Sequence, residues 1–210
     1  MSVPSPTLSS YGGPTSPDAL VLMLHGGRPH SQEPVGGRSA SWLRSAWMAR
    51  SIAGDLGRAG VGVSLLRYRQ RGWNGGAGAT ADARWALDEL RAAHGGVPVV
   101  VLGHSMGARV AVHVADDPSV VGVVGLAPWW SAQDPVRTLA GRSLVAAHGR
   151  ADRITSFTET ERYVRRARTV ATSAELVDMG RLGHYLLGEA GRWNGVAVDS
   201  SLQALGISVG

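Results

Sequence analysis

The chain has 210 residues, 44% hydrophobic and 18% charged, the balance of one globular domain with a substantial core. With no cysteine, it excludes disulfides, thiolate metal sites and a cysteine nucleophile. The net charge of +5 is carried by arginine alone, scattered except at "RYRQR" (67–71) and "RYVRRAR" (162–168), and this excludes the contiguous basic footprint that nucleic-acid binding needs.

The opening stretch, "MSVPSPTLSSYGGPTSP", has no basic region leading into an apolar one, so residues 1–18 read as a flexible polar leader and not as a secretion signal. No apolar run approaches the roughly 18 residues needed to span a membrane, and a cytoplasmic location is expected. "ALVLMLHGG" (19–27) is a continuous apolar run ending in glycines, as for a strand buried on both faces. "SASWLRSAWMARSIAGDLGRAG" (39–60) places Trp42, Ala46, Ala49 and Ala53 near helical spacing and stops at Gly60. "VGVSLLRY" (61–68) predicts a strand, followed by the turn-rich "RQRGWNGGAGA". "TADARWALDELRAAHGG" (80–96) predicts a helix capped by Thr80 and ended by paired glycines.

"VPVVVLG" (97–103) is a strand, "SMGARVAVHVADDP" a helix up to Pro118, and "VVGVVGLAP" (120–128) a strand. After a short linker come a strand in "SLVAAHG" (143–149) and a helix in "SFTETERYVRRARTV" (156–170), where Ser156 and Glu159 form a plausible capping box. "AELVDMG" (174–180) is the last strand, and the tail from Tyr185 is expected to hold a final helix. This alternation predicts an α/β fold over residues 19–210: a mostly parallel central sheet, helices on both faces, one domain.

Two stretches match G-x-S-x-G, "GHSMG" (103–107) and "GISVG" (206–210). Ser105 stands where a strand ends and a helix begins, a turn that raises its hydroxyl at the carboxyl edge of the sheet. Ser208 has no strand before it and no room for a helix after it, so it is read as a terminal loop residue. A serine hydroxyl needs a base to take its proton, usually a histidine oriented by a carboxylate. In sheets of this type the order along the chain is serine, acid, histidine. Beyond Ser105 lie His113, His148 and His184. His113 sits two helical turns past the serine, and His148 precedes the best acid. That leaves His184, on a loop after the last strand. For the acid, Asp152 follows a strand and is free of the capping role that Ser156 takes, with Asp178 as the other candidate. The developing oxyanion needs two backbone N–H donors, each worth on the order of 3 kcal/mol. Met106 follows the serine, and Gly27, in the paired glycines of "HGGRPH" (25–30), is the choice for the second. His25 is expected to brace that loop without reacting.

Taken together, "HGG" (25–27), "GHSMG" (103–107), "HGRADRIT" (148–155) and "GHY" (183–185) resemble the α/β-hydrolase superfamily of serine hydrolases, over nearly the whole chain from about Ala19. The resemblance implies Ser105 as nucleophile, Asp152 as orienting acid and His184 as base, with N–H donation by Gly27 and Met106. Two departures stand out. The family's first strands look absent or short. The segment "PWWSAQDPVRTLAGR" (128–142) is too short for the usual lid, a minimal cap at most.

Without a lid the serine is expected to be open to solvent. Trp129, Trp130, Trp73 and Tyr185 are candidate pocket walls, and plain core packing is the other reading of the tryptophans. Arg67, Arg69 and Arg71 either bind an acidic substrate group or line a solvated strand end. No metal cluster or nucleotide loop is visible, so neither metal nor cofactor is expected. The expected function is hydrolysis of ester or thioester bonds in a small-molecule substrate with a small or flexible acyl group, through an acyl-serine intermediate. A peptidase, amidase or acyltransferase of the same fold, or a non-catalytic binding protein, are the alternatives. Oligomeric state is not legible.

Overall fold

Seven strands form one sheet in a computed structural model that describes residues 5–208. They are β1 (Thr7–Ser10), β2 (Ala19–Leu24), β3 (Val61–Arg67), β4 (Val99–His104), β5 (Val120–Leu126), β6 (Ser143–His148) and β7 (Ser173–Asp178). Their spatial order is β1-β3-β2-β4-β5-β6-β7, parallel throughout except for β1. Every residue of β2 and β4 is buried, because helices cover both faces of the sheet. Side-chain alternation divides β2 between two cores. Leu20, Leu22 and Leu24 pack with α2 (Ala77–His94), α3 (Met106–Val114) and α4 (Phe157–Ala167), while Ala19, Val21 and Met23 pack with α1 (Ala40–Arg58) and α5 (Ala190–Ala204).

The topology makes the crevice where a site can sit. From β2 the chain steps to β3 on one side, and then α2 carries it across to β4 on β2's other side. The connections leaving β2 and β4 therefore diverge at the carboxyl edge, the place where ligands bind in sheets of this type. Among the described residues no helix is long and apolar enough to cross a membrane.

Three expectations are corrected. Within residues 1–18, read as a flexible leader, β1 pairs antiparallel with β3 from Thr7 opposite Arg67 to Ser10 opposite Ser64, and the Asp18 N–H donates to the Gly60 carbonyl. Residues 1–4 lie outside the described residues. As a short polar edge strand, β1 carries none of the apolar pattern that marks the others. Helix α2 starts at Ala77, three residues before Thr80, because the chain turns at Gly76 with φ 90°, where a Cβ would strike the Trp73 ring. In α4 the Ser156 hydroxyl accepts from the Glu159 N–H at 3.2 Å, but the Glu159 carboxylate turns to Arg162 and not back to the cap. The connection from β5 to β6 holds one 3₁₀ turn, Arg137–Leu139, and no lid.

Candidate active site

Ser105 occupies the turn between β4 and α3 with φ 55° and ψ −115°, a strained backbone for a residue with a side chain. Its flanking glycines explain how the turn closes. A Cβ on Gly103 would lie 2.3 Å from the Ala108 nitrogen, and one on Gly107 would lie 2.0 Å from the Leu24 carbonyl oxygen. Thus α3 presses so closely against the ends of β4 and β2 that no side chain fits between. The Ser105 N–H donates to the Leu126 carbonyl at 3.0 Å and pins the turn to β5. Ser208 is exposed and lies beyond α5, far from any such turn.

Two loops bring a histidine and a carboxylate to this serine. His184 Nε2 lies 3.0 Å from Ser105 Oγ, and His184 Nδ1 lies 2.7 Å from Asp152 Oδ2. With Nδ1–H donated to the carboxylate, the Nε2 lone pair faces the serine hydroxyl. The side chain of Asp152, on the loop after β6, is shielded from solvent and accepts also from His148 Nε2 (3.1 Å), the Thr155 hydroxyl (2.9 Å), and the N–H groups of Ile154 (2.7 Å) and Thr155 (2.9 Å). Burial alone would raise its pKa; the hydrogen bonds from His148, His184 and the two amides outweigh this and hold it far below the usual carboxylate range. Asp178 is elsewhere: exposed, it pairs with Arg150 at 2.7 Å and accepts from the Gly180 N–H.

Two further histidines frame the crevice. His104 is buried beneath His184, their ring centroids 4.9 Å apart, and its Nε2–H donates to the His184 carbonyl at 2.9 Å. Burial, and then the proximity of His184, push its pKa down to about 3. His25 is fully buried, and burial pushes its pKa down to about 4. Its Nδ1–H donates to the Gly26 carbonyl at 2.7 Å, so this ring braces the loop after β2.

That loop lies against the turn at Ser105, the elbow between β4 and α3. A Cβ on Gly27 would come within 2.4 Å of Met106 Sδ and 2.5 Å of the Arg71 carbonyl oxygen. Among the described residues neither the Gly27 nor the Met106 N–H donates a hydrogen bond, the latter because it opens α3. The loop is tied to the β3–α2 connection by Arg28 N–H to the Arg71 carbonyl (2.9 Å) and Trp73 N–H to the Arg28 carbonyl (2.8 Å).

The candidate pocket residues separate. Trp130 is core, not wall: it is buried, its Nε1–H donates to the Ala108 carbonyl at 2.9 Å, and its ring fills the space left by Gly125. Trp73 and Trp129 are partly buried, with the Arg109 guanidinium 4.6 and 4.7 Å from their ring centroids. Tyr185 is exposed and stands edge-on to His184, 5.4 Å between centroids. The expectation of an open serine is corrected as well, since Ser105 is only 7% exposed. The loop after β2 passes beside the serine, where a Cβ on Gly26 would lie 3.4 Å from Ser105 Cβ. The three clustered arginines serve the fold: Arg67 donates to Thr7, Arg69 to the buried Asp82, and Arg71 to Glu33. Sequence reasoning missed His148 and Thr155. The four-residue spacing from His148 to Asp152 was the one available signal.

Residues 21–203 match the family model described as the alpha/beta hydrolase family. No curated protein matches the sequence. Among solved structures, the chain is similar to an alpha-beta serine hydrolase homologue from Coxiella burnetii, at 16% identity over 93% of this chain and 90% of that one, with a TM-score of 0.70. It is similar also to a serine hydrolase without lid from Xanthomonas campestris, at 18% identity over 96% and 95% of the two chains and a TM-score of 0.68. Esterase 2 of Thermogutta terrifontis matches at 17% identity over 98% of this chain and 91% of its own, with a TM-score of 0.71. Identities this low carry the fold alone, but the family model covers most of the sequence, and the chain belongs to the alpha/beta hydrolase family.

Proposed function

We propose that the protein is a serine hydrolase that cleaves ester or thioester bonds of small-molecule substrates with small or flexible acyl groups. The observation that carries this reading is the unbroken line of hydrogen bonds from Ser105 Oγ through His184 to Asp152, at 3.0 and 2.7 Å. Ser105 Oγ attacks the substrate carbonyl carbon while His184 Nε2 takes the hydroxyl proton. The carbonyl oxygen becomes an oxyanion, received by the unpaired N–H groups of Gly27 and Met106. Collapse of this intermediate breaks the bond to the leaving group, which takes the proton from His184, and the acyl group stays on Ser105. Water, deprotonated by His184, then attacks the acyl-serine, releases the acid and restores the serine. Asp152 keeps the imidazole in the required tautomer and balances its charge. Buried neutral His104 adds no second positive charge beneath the ring.

The restricted exposure of Ser105 favours acyl groups that are slim or flexible, and the esterase among the structural neighbours is consistent with ester chemistry. The test is labelling with a fluorophosphonate probe, together with turnover of p-nitrophenyl esters of increasing chain length. Wild type is expected to label at Ser105 and to favour short chains, and Ser105→Ala to lose labelling and about 10⁶-fold in kcat. A folded wild type that neither labels nor turns over any ester would reject the proposal.

A further inference from the structure

Arg44 stands apart from the other arginines of this chain. Among the described residues, every other half-buried arginine donates to a carboxylate, carbonyl or hydroxyl oxygen of the protein. Arg44 is half-buried near the start of α1 and donates to none; its guanidinium stacks instead on the Tyr185 ring, with Cζ 4.8 Å from the centroid. Tyr185 in turn stands edge-on to His184. The guanidinium therefore sits one aromatic ring away from the histidine that faces Ser105. Its charge is felt at His104 too, where it helps to hold that ring neutral, and burial lowers its own pKa from the ordinary arginine value.

This position carries a cost. An arginine keeps its charge even when partly desolvated, and among the described residues no carboxylate pairs with it. It also lies on the side of His184, where positive charge must build up as the serine proton is taken. An anion bound at Arg44 would remove both penalties at the moment of reaction. One guanidinium supplies one positive charge and a planar pair of donors, the complement of a carboxylate.

We infer that Arg44, stacked on Tyr185, is a specificity residue that binds a carboxylate on the substrate, so that the preferred substrates are esters or thioesters bearing a carboxylate a few bonds from the scissile carbonyl. This rests on the hydrolase reading of Ser105. The arginines at 67, 69 and 71 do not compete for the role, each being held by a partner within the protein.

The experiment compares mono-p-nitrophenyl glutarate with the neutral p-nitrophenyl pentanoate of equal chain length, in the full-length protein. In Arg44→Gln the ratio of kcat/KM, anionic over neutral, is expected to fall by roughly 10- to 100-fold, the worth of a charge-assisted hydrogen bond, with the change carried mainly by KM. Arg44→Lys is expected to retain part of the preference, since it keeps the charge but not the planar fork. Should glutamine disturb folding, Arg44→Met keeps the apolar stem over Tyr185 and carries the same expectation. A ratio that stays within twofold of wild type overturns the inference and leaves the esterase reading intact. If wild type hydrolyses neither ester, fluorophosphonate labelling decides the hydrolase reading separately, and calorimetric binding of monomethyl glutarate decides the role of Arg44. Binding lost in Arg44→Gln supports it; absent or equal binding overturns it.

Discussion

Five donors converge on the two oxygens of Asp152, although orienting one imidazole needs a single acceptor. His148 and the Thr155 hydroxyl share Oδ2 with His184, and the two loop amides fix Oδ1, so the acid has one position and one charge state. Asp152→Asn keeps the shape but lacks the charge that balances the imidazolium, and it can present an N–H where an acceptor is required. We expect kcat on p-nitrophenyl butyrate to fall by roughly 10³- to 10⁴-fold. Asp178→Asn, at the exposed pair with Arg150, should leave kcat/KM within twofold. The reverse pattern in steady-state kinetics would exchange the two carboxylates' roles. Ser105 and His184 stood out in the sequence because the elbow has a fixed context, strand before and helix after, and because chain order left one histidine. His148 did not: its place before the acid in the chain argues against a base, yet it braces that acid. Thr155 was silent for a physical reason. It approaches His184 across 29 residues of chain, through a loop whose path no local pattern encodes.

At the scale of elements, the short β5–β6 connection has to be held down without a lid, and Arg109 does much of this. One turn beyond Ser105 on α3, its Nε–H donates to Asp134 at 2.8 Å, and its guanidinium lies between Trp73 from the β3–α2 connection and Trp129 from the β5–β6 connection. Asp134 is 2% exposed; burial would raise its pKa, but hydrogen bonds from His113, Arg109 and the Ser131 N–H lower it. Arg109→Ala removes the cation and leaves a buried carboxylate short of donors, which we expect to cost about 3 kcal/mol in urea unfolding. Arg84→Ala, which breaks an exposed pair with Asp116, should cost under about 1 kcal/mol. Equal losses would show that the buried pair anchors nothing. The inner strands β2, β4 and β5 were legible because burial on both faces leaves nearly unbroken apolar runs, whereas β7, at the sheet edge, is partly exposed and was legible from a shorter apolar pattern around Glu175. The start of α2 was not, since "GWNGGAGA" reads as turn throughout until the Trp73 ring fixes Gly76. Nor was the fate of Trp130: two adjacent tryptophans point different ways, and adjacency does not tell which one turns inward.

Across the whole molecule, His25 and His104 follow or end the two strands that flank the crevice, both buried, with pKa values near 4 and 3. The sign of their effect on stability follows from the direction of those shifts. In the unfolded chain each titrates near 6.5, whereas in the folded protein each stays neutral well below that. Above about pH 6.5 neither state binds the extra protons and stability is at its full value. As the pH falls below this, only the unfolded chain takes them up, and stability drops by about 1.4 kcal/mol per unit for each histidine until the folded pKa values are reached. At pH 5 that amounts to about 2 kcal/mol each, or roughly 4 kcal/mol together. Asp152, whose pKa is lowered, acts in a separate window: its contribution is present above about pH 4, the unfolded carboxylate value, and fails only below it. Urea unfolding at pH 7.5 and pH 5 should therefore show a loss of about 4 kcal/mol in wild type. The difference should halve in His25→Gln or His104→Gln and nearly vanish when both are replaced. A wild type equally stable at the two values, or a slope that survives the double replacement, would place the acid sensitivity elsewhere. If the slope behaves as expected, the same desolvation that keeps a second positive charge from beneath His184 also sets the acid limit of the fold.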